Sequence, residues 1–363
     1  MSAVPKLFQP LRVGASNLKH RVVMAPMTRN RATDTHVPTP LMAEYYAQRA
    51  STPGTLLITE ATFIAEKATG QRKAPGIWSE EQVEAWKKIT DAVHEKGSSI
   101  YLQLWALGRA AYPKILKEKN LEYVAADAIG LQDRESAPRA LTVSEIQEYV
   151  ELFGAAAHNA IKAGCDGVEI HGANGYLLDQ FLQDVSNKRS DNYGGSIENR
   201  IRFTDEVVDA VVSSVGATRS AIRLSPWSTY QEMGMANPIP TFEALVKRLD
   251  SKHPDLSYIH LMDPMGPPPS NQSSVERSND SIANIRLPRP VIFNTGYERE
   301  TAIKKAETDG ALVAFGRPFL ANPDLPVKLE KDLELNQPDY ANLYFGPEGH
   351  PEVGYTDYKS ASA

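Results

Sequence analysis

The densest run of reactive side chains reads Gly167-Val168-Glu169-Ile170-His171-Gly172-Ala173-Asn174-Gly175-Tyr176, with an imidazole, an amide and a phenol inside six residues. Its first half has the apolar look of a strand buried on both faces, so three polar groups leave one strand together. A lone histidine here is as often a packed structural residue, and a lone asparagine beside Gly175 is as often a turn former. Taken together they point further. His171 and Asn174, three residues apart in the turn after a strand, can converge on one acceptor oxygen, which implies a carbonyl, phenolate or similar electron-rich ligand. Tyr176, with a reference pKa of about 10, stays protonated near neutrality and can deliver a proton as a general acid. Read alone, it is a wall residue with its hydroxyl in water.

These groups need a scaffold, and the chain supplies eight short apolar runs alternating with segments of helical period: 21–27, 55–62, 98–105, 167–173, 221–226, 258–263, 291–296 and 310–316. Parallel strands joined by crossover helices give this pattern. Eight such units in 363 residues fit one closed α/β domain over 1–363, a (β/α)8 TIM barrel, better than a doubly wound sheet with an appended domain. Reactive groups in such a barrel come from the C-terminal ends of strands, which is where His171 falls. Ser79 with Gln82, and Thr142 with Glu145, read as capped helix starts, with Gly97 and Gly164 at the exits. The second of these helices is predicted to bury Ile146, Val150, Phe153, Ala157 and Ile161, and another runs from Ser196 to about Gly216. Residues 7–21 read as an N-terminal β-hairpin closing the barrel's bottom, with Gly14 and Asn17 at its turns. Extended loops follow strands 3 and 6: 106–140 is too long for an ordinary connection and reads as a lid or substrate loop, and 264–290 is similar. The tail, 337–363, is irregular.

Composition narrows the function. A net charge of −6 offers no attraction to nucleic acid or an anionic membrane, and no run approaches the ~18 to 20 apolar residues that span a bilayer. The single cysteine, Cys165, can form no internal disulfide, and the start lacks the order of a secretory signal, so a cytoplasmic location is expected. No metal is expected, because no His-Glu-x-x-His pattern occurs and one thiol cannot build a thiolate site. Cys165 itself reads as a small buried hydrophobe. Glycine at the ends of strands seven and eight, Gly296 and Gly316, allows backbone N–H groups to approach a phosphate, and Arg317 adds a bidentate donor.

The run from His171 to Phe181, followed by 187–200, strongly resembles the Old Yellow Enzyme family of flavin-dependent ene-reductases. The likeness spans most of the chain and includes Ala25-Pro26-Met27-Thr28-Arg29, Ile58-Thr59-Glu60-Ala61, Gln103-Leu104-Trp105, Arg223-Leu224-Ser225-Pro226 and Phe315-Gly316-Arg317, each at a strand end. Tyr45 to Arg49 and Pro53 to Glu60 resemble the fungal branch. The resemblance implies FMN as cofactor and NADPH as reductant. It places Thr28 at the flavin's O4 edge, Gln103 at the pyrimidine side and Arg223 near N1 and O2, where a cation stabilises the anionic reduced ring. It adds Pro26, Ala61, Gly296, Phe315, Gly316 and Arg317 to the cofactor cradle, and Trp105, Tyr230 and Tyr344 to the substrate side.

The implied chemistry is ping-pong reduction of an α,β-unsaturated carbonyl compound, an enone or enal, with His171 and Asn174 holding the carbonyl oxygen and Tyr176 protonating the α-carbon. Within the same chemistry, a dedicated step in a fungal secondary pathway is the second reading, since members from ergot-alkaloid pathways look similar around Gly54 to Glu60. Two readings come from other classes. A flavin-free aldolase or isomerase needs a strand-end lysine or an acidic pair; Glu60 and Glu169 stand at strand ends, but no lysine does. A flavin-storing or ligand-sequestering barrel needs no acid, and Tyr176 argues against it. The chain is expected to be a monomer or homodimer acting on a small molecule. Leu343, Tyr297 and the 264–290 loop depart from the family's pattern, which leaves substrate scope open.

Overall fold

A computed structural model of the chain describes residues 4–267, 269–272 and 276–361. The strands are β1 (Leu11–Val13), β2 (Ser16–Leu18), β3 (Val22–Met24), β4 (Leu56–Ile58), β5 (Thr62–Phe63), β6 (Ser99–Trp105), β7 (Val124–Ala125), β8 (Arg139–Ala140), β9 (Gly167–Gly172), β10 (Ser220–Leu224), β11 (Tyr258–Met262), β12 (Val291–Asn294) and β13 (Ala311–Phe315). Eight of them, in the order β4-β3-β13-β12-β11-β10-β9-β6, pair in parallel, and a β4–β6 pairing closes the sheet into the expected barrel. The second predicted strand is divided: the chain leaves the ladder at Thr59, whose hydroxyl donates to Glu60 O, and resumes as β5 against β6.

The helices are α1 (Pro40–Arg49), α2 (Glu80–His94), α3 (Pro113–Glu118), α4 (Val143–Lys162), α5 (Leu177–Leu182), α6 (Ile197–Val215), α7 (Ile239–Lys252), α8 (Asp280–Asn284), α9 (Arg299–Ala306), α10 (Arg317–Ala321) and α11 (Leu325–Lys331). Ser79 and Thr142 each form a reciprocal capping box with Gln82 and Glu145, so both starts fall where local chemistry dictates. The buried stripe of α4 is rotated from the predicted one. Ile146, Phe153 and Ala157 are buried, but Tyr149, Ala156 and Ala160 join them while Val150 and Ile161 are only half-buried. α4 packs against both its barrel strands and α6, and that second neighbour turns the face.

β1 and β2 form the hairpin, turning at Gly14 (φ +55°), while Asn17 lies within β2. A Cβ on Gly14 would stand 2.1 Å from Thr218 O, so the turn abuts the barrel's lower rim. Val13 and Leu18 pack with Val23, Leu56, Tyr101 and Tyr258, which plugs the bottom and leaves the other end as the mouth. Loop 106–140 carries α3 and the short parallel pair β7–β8, and loop 264–290 carries α8. Cys165 is buried, and burial pushes its thiol pKa well up.

Candidate active site

The turn after β9 is built to hold its shape. Asn174 (φ +58°) and Gly175 (φ +73°) are consecutive left-handed residues, and a Cβ on Gly175 would stand 2.8 Å from Met233 Cγ, so glycine is required there. Asn174 N donates to Ser225 Oγ at 2.7 Å, and Gly175 N donates to Asp179 Oδ2 at 2.8 Å. Asp179 is buried, and burial pushes its pKa up to about 6 against the pull of Gln183 and the Gly175 N–H. Gln180 Nε2 donates to Gly175 O at 2.7 Å and ties the far side of the turn.

On this frame His171 and Tyr176 meet, with Asn174 in the turn between them. The rings of His171 and Tyr176 are 4.8 Å apart at 72°, and Tyr176 stands edge-on to Trp105 at 5.0 Å. His171 and the Asn174 side chain make no hydrogen bond to another described residue, and His171 Nδ1 is buried. Burial, then the Arg223 cation, then His260 hold the His171 pKa well below its ordinary value, so the ring is neutral and carries one N–H donor. Burial, with Tyr230 and Tyr344 close by, pushes the Tyr176 pKa up, so its proton is in place at any physiological pH. The arrangement sets a neutral imidazole, with its one N–H donor, against a protonated phenol.

Around the mouth, Arg223 is in register with His171 on β9 and His260 on β11. Its Nη2 donates to Asn294 Oδ1 at 2.7 Å, Nε has no partner, and burial lowers its pKa. Gln103 is buried, with Nε2 donating to Glu169 at 2.7 Å. Pro26 and Thr28 are half-buried just beyond β3, and Thr28 makes no side-chain hydrogen bond. Ala61 and Phe315 are buried. Asn294 and Ala314 are register partners, so Gly296 and Gly316, two residues beyond each, emerge side by side. Gly296 has φ +73°, and a Cβ there would meet nothing within 4 Å. Arg317 is exposed, lies 5.8 Å from the Tyr340 ring, and has no ion pair among the described residues.

These residues fit FMN. A guanidinium this deep with one unpartnered nitrogen, and the unpartnered Trp105 Nε1 and His171 Nδ1, each cost about 1–3 kcal/mol of desolvation unless an electron-rich ligand meets them. Gly296, Gly316 and the free Arg317 guanidinium suit a phosphate. On the substrate side Trp105 is buried and stacked on Phe63 at 4.6 Å, so it acts as wall; Tyr230 (61% exposed) and Tyr344 (58%) stand at the rim. A cavity of about 260 Å³ is lined by Tyr176, Tyr230 and Gln231 on one side and by Tyr112, Asp133 and Arg134 of the 106–140 loop on the other.

Sequence reasoning missed Tyr112, Arg134 and Gln231, for which a long loop carries no register. It also assigned no role to His260 and Asn294, or to Glu169 beyond its place at a strand end. The i, i+2 spacing of Glu169 and His171 puts them on one face of the strand and was the available signal.

Comparison with known proteins agrees with this geometry. Residues 6–336 match the family model described as NADH:flavin oxidoreductase / NADH oxidase family. A chanoclavine-I aldehyde reductase of Penicillium roqueforti is 47% identical over 358 residues, covering 97% of this chain and 96% of that protein. The 12-oxophytodienoate reductase 1 of Oryza sativa subsp. japonica is 44% identical over 369 residues, covering 98% and 93%. Among solved structures, an Old Yellow Enzyme from Pichia sp. superposes with a TM-score of 0.90 at 39% identity, covering 99% of this chain and 94% of that one.

Proposed function

The chain belongs to the NADH:flavin oxidoreductase / NADH oxidase family, as an Old Yellow Enzyme-type FMN-dependent reductase of activated C=C bonds, and from that premise we propose how its residues divide the work and which substrates they take. FMN, when bound and reduced by NAD(P)H, supplies the hydride. Thr28, Gln103 and Arg223 would hold its ring, Pro26, Ala61 and Phe315 would pack around it, and Gly296, Gly316 and Arg317 would hold its phosphate. His171 and Asn174 bind the substrate's carbonyl oxygen and take up the negative charge that grows there as the β-carbon is reduced. Because His171 is neutral, it donates one directed N–H rather than a bulk positive charge. Tyr176, fixed edge-on between His171 and Trp105, gives its proton to the α-carbon. Trp105 walls the site, and Tyr230 and Tyr344 close over it with the 106–140 loop as lid.

The observation that carries this reading is the contact of an unpartnered, neutral His171 ring with a protonated phenol beside a buried guanidinium. The substrate proposed is an α,β-unsaturated aldehyde of fungal secondary metabolism, with enones as surrogates. The high identity to a chanoclavine-I aldehyde reductase supports the aldehyde. A cytosolic monomer or homodimer belongs to the same proposal, and a single buried cysteine leaves no disulfide to maintain. The test is optical. Purified protein should be yellow, bleach with NADPH under anaerobic conditions, and regain colour with an enal faster than with cyclohexenone. Bleaching that persists after both would point to a barrel that stores flavin without turnover.

A further inference from the structure

The interior of such a barrel is normally filled by branched aliphatic side chains, yet Glu169 and His260, both 0% exposed, lie just below the mouth. A carboxylate buried there needs compensation. Oε1 accepts from Gln103 Nε2 at 2.7 Å, and Oε2 pairs with His260 Nδ1 at 2.8 Å. Burial pushes the Glu169 pKa up, but His260, Arg223 and the Gln103 hydrogen bond outweigh it, so the group is ionised. Arg223 itself makes its side-chain hydrogen bond to neutral Asn294, and no carboxylate lies within ion-pair distance among the described residues. Glu169 is the acidic group whose charge reaches it.

An ionised carboxylate only accepts hydrogen bonds, so it captures the N–H end of the Gln103 amide and leaves the carbonyl end facing elsewhere. An amide is otherwise nearly symmetric in shape, and its sense is set by such partners. We propose that Glu169 is a positioning residue for the flavin. Through Gln103 it keeps an acceptor toward the ring's imide N–H, and through its charge it offsets Arg223, limiting how far that cation stabilises the anionic reduced ring. The proposal rests on the reading that FMN lies over Gln103 and Arg223.

Two holoenzyme variants separate its two parts. In Glu169→Gln the carboxylate is gone, Gln103 is free to reverse, and Arg223 is unopposed. The midpoint potential of bound FMN should rise, and FMN should bind about tenfold more weakly, the loss of one charge-assisted hydrogen bond. Glu169→Asp keeps the charge but is too short to reach Gln103, so affinity should fall while the potential stays near that of the parent. If Glu169→Gln fails to fold, the aspartate variant decides, because unchanged FMN affinity there overturns the orienting role. A Glu169→Gln protein whose potential and affinity match the parent's overturns the proposal alone. Parent protein that takes up no FMN would overturn the cofactor reading and this proposal with it.

Discussion

Two regions of this molecule satisfy their buried arginines in opposite ways. Arg29 and Arg31, just beyond β3, are fully engaged. Arg29 donates through Nε to Leu343 O and through Nη2 to Gly354 O, each at 2.6 Å. Arg31 donates to the carbonyls of Arg29, Tyr344 and Pro351 between 2.6 and 2.9 Å, with longer bonds to Asn342 and Val353. Tyr355 stacks on Tyr45 at 4.1 Å and is covered by both guanidiniums. Arg223, at the mouth, has one side-chain acceptor and a nitrogen with none. The first pair closes the protein on itself; the other is left open to something the chain does not contain. Burial alone therefore does not separate a structural arginine from a ligand-binding one, and acceptor count must be read with position: Arg21, just before β3 at the barrel's lower end, also has one acceptor and an unpartnered Nε.

The comparison can be broken in order of effect. Tyr176→Phe removes the acid together with its contact to Gln231; it should slow alkene reduction by about 10²–10⁴-fold while flavin reduction by NADPH changes little, as stopped-flow of the two half-reactions will read. Equal losses in both would remove Tyr176 from the acid's role. Arg31→Ala strands several buried carbonyls and should destabilise the protein by about 3 kcal/mol in urea unfolding, with amide exchange accelerated across 342–355. Arg223→Met should act chiefly on the cofactor: FMN affinity weakens by roughly 2 kcal/mol, while the apo-protein loses less stability than with Arg31→Ala, because only Asn294 and Glu169 lose its support. An apo-protein destabilised as much as by Arg31→Ala would place Arg223 with Arg29 and Arg31.

A pH-dependent effect, present only over part of the range, concerns Glu60, which accepts from Arg29 N at 3.2 Å and is pushed up to about 7 by burial. Its folded pKa lies above the unfolded value of 4.5, so its contribution to stability is full below pH 4.5 and is lost as pH rises to about 7. Glu60→Gln should flatten that part of the curve by at most about 1.4 kcal/mol per pH unit, measured by unfolding at pH 5 and pH 7.5.

What the sequence made legible was local or periodic. The capping boxes at Ser79 and Thr142 involve residues three apart, and the barrel strands announced themselves as apolar runs, so the architecture and the position of His171 at a strand end could be read directly. The α4 stripe was misjudged by part of a turn because a second helix, invisible to periodicity, packs on it. His260 sits in an apolar run on β11 and becomes meaningful only when register brings it beside Arg223. The Arg29 and Arg31 clamp joins segments more than 300 positions apart through main-chain carbonyls, which leave no mark on side-chain patterning.

That separation has a consequence for biosynthesis. Arg29 and Arg31 leave the ribosome early, while the oxygens that receive them follow 311 to 325 residues later. The barrel's own strands are complete at Phe315, so the clamp that ties the segment after β3 to the tail can form only once synthesis has passed Gly354.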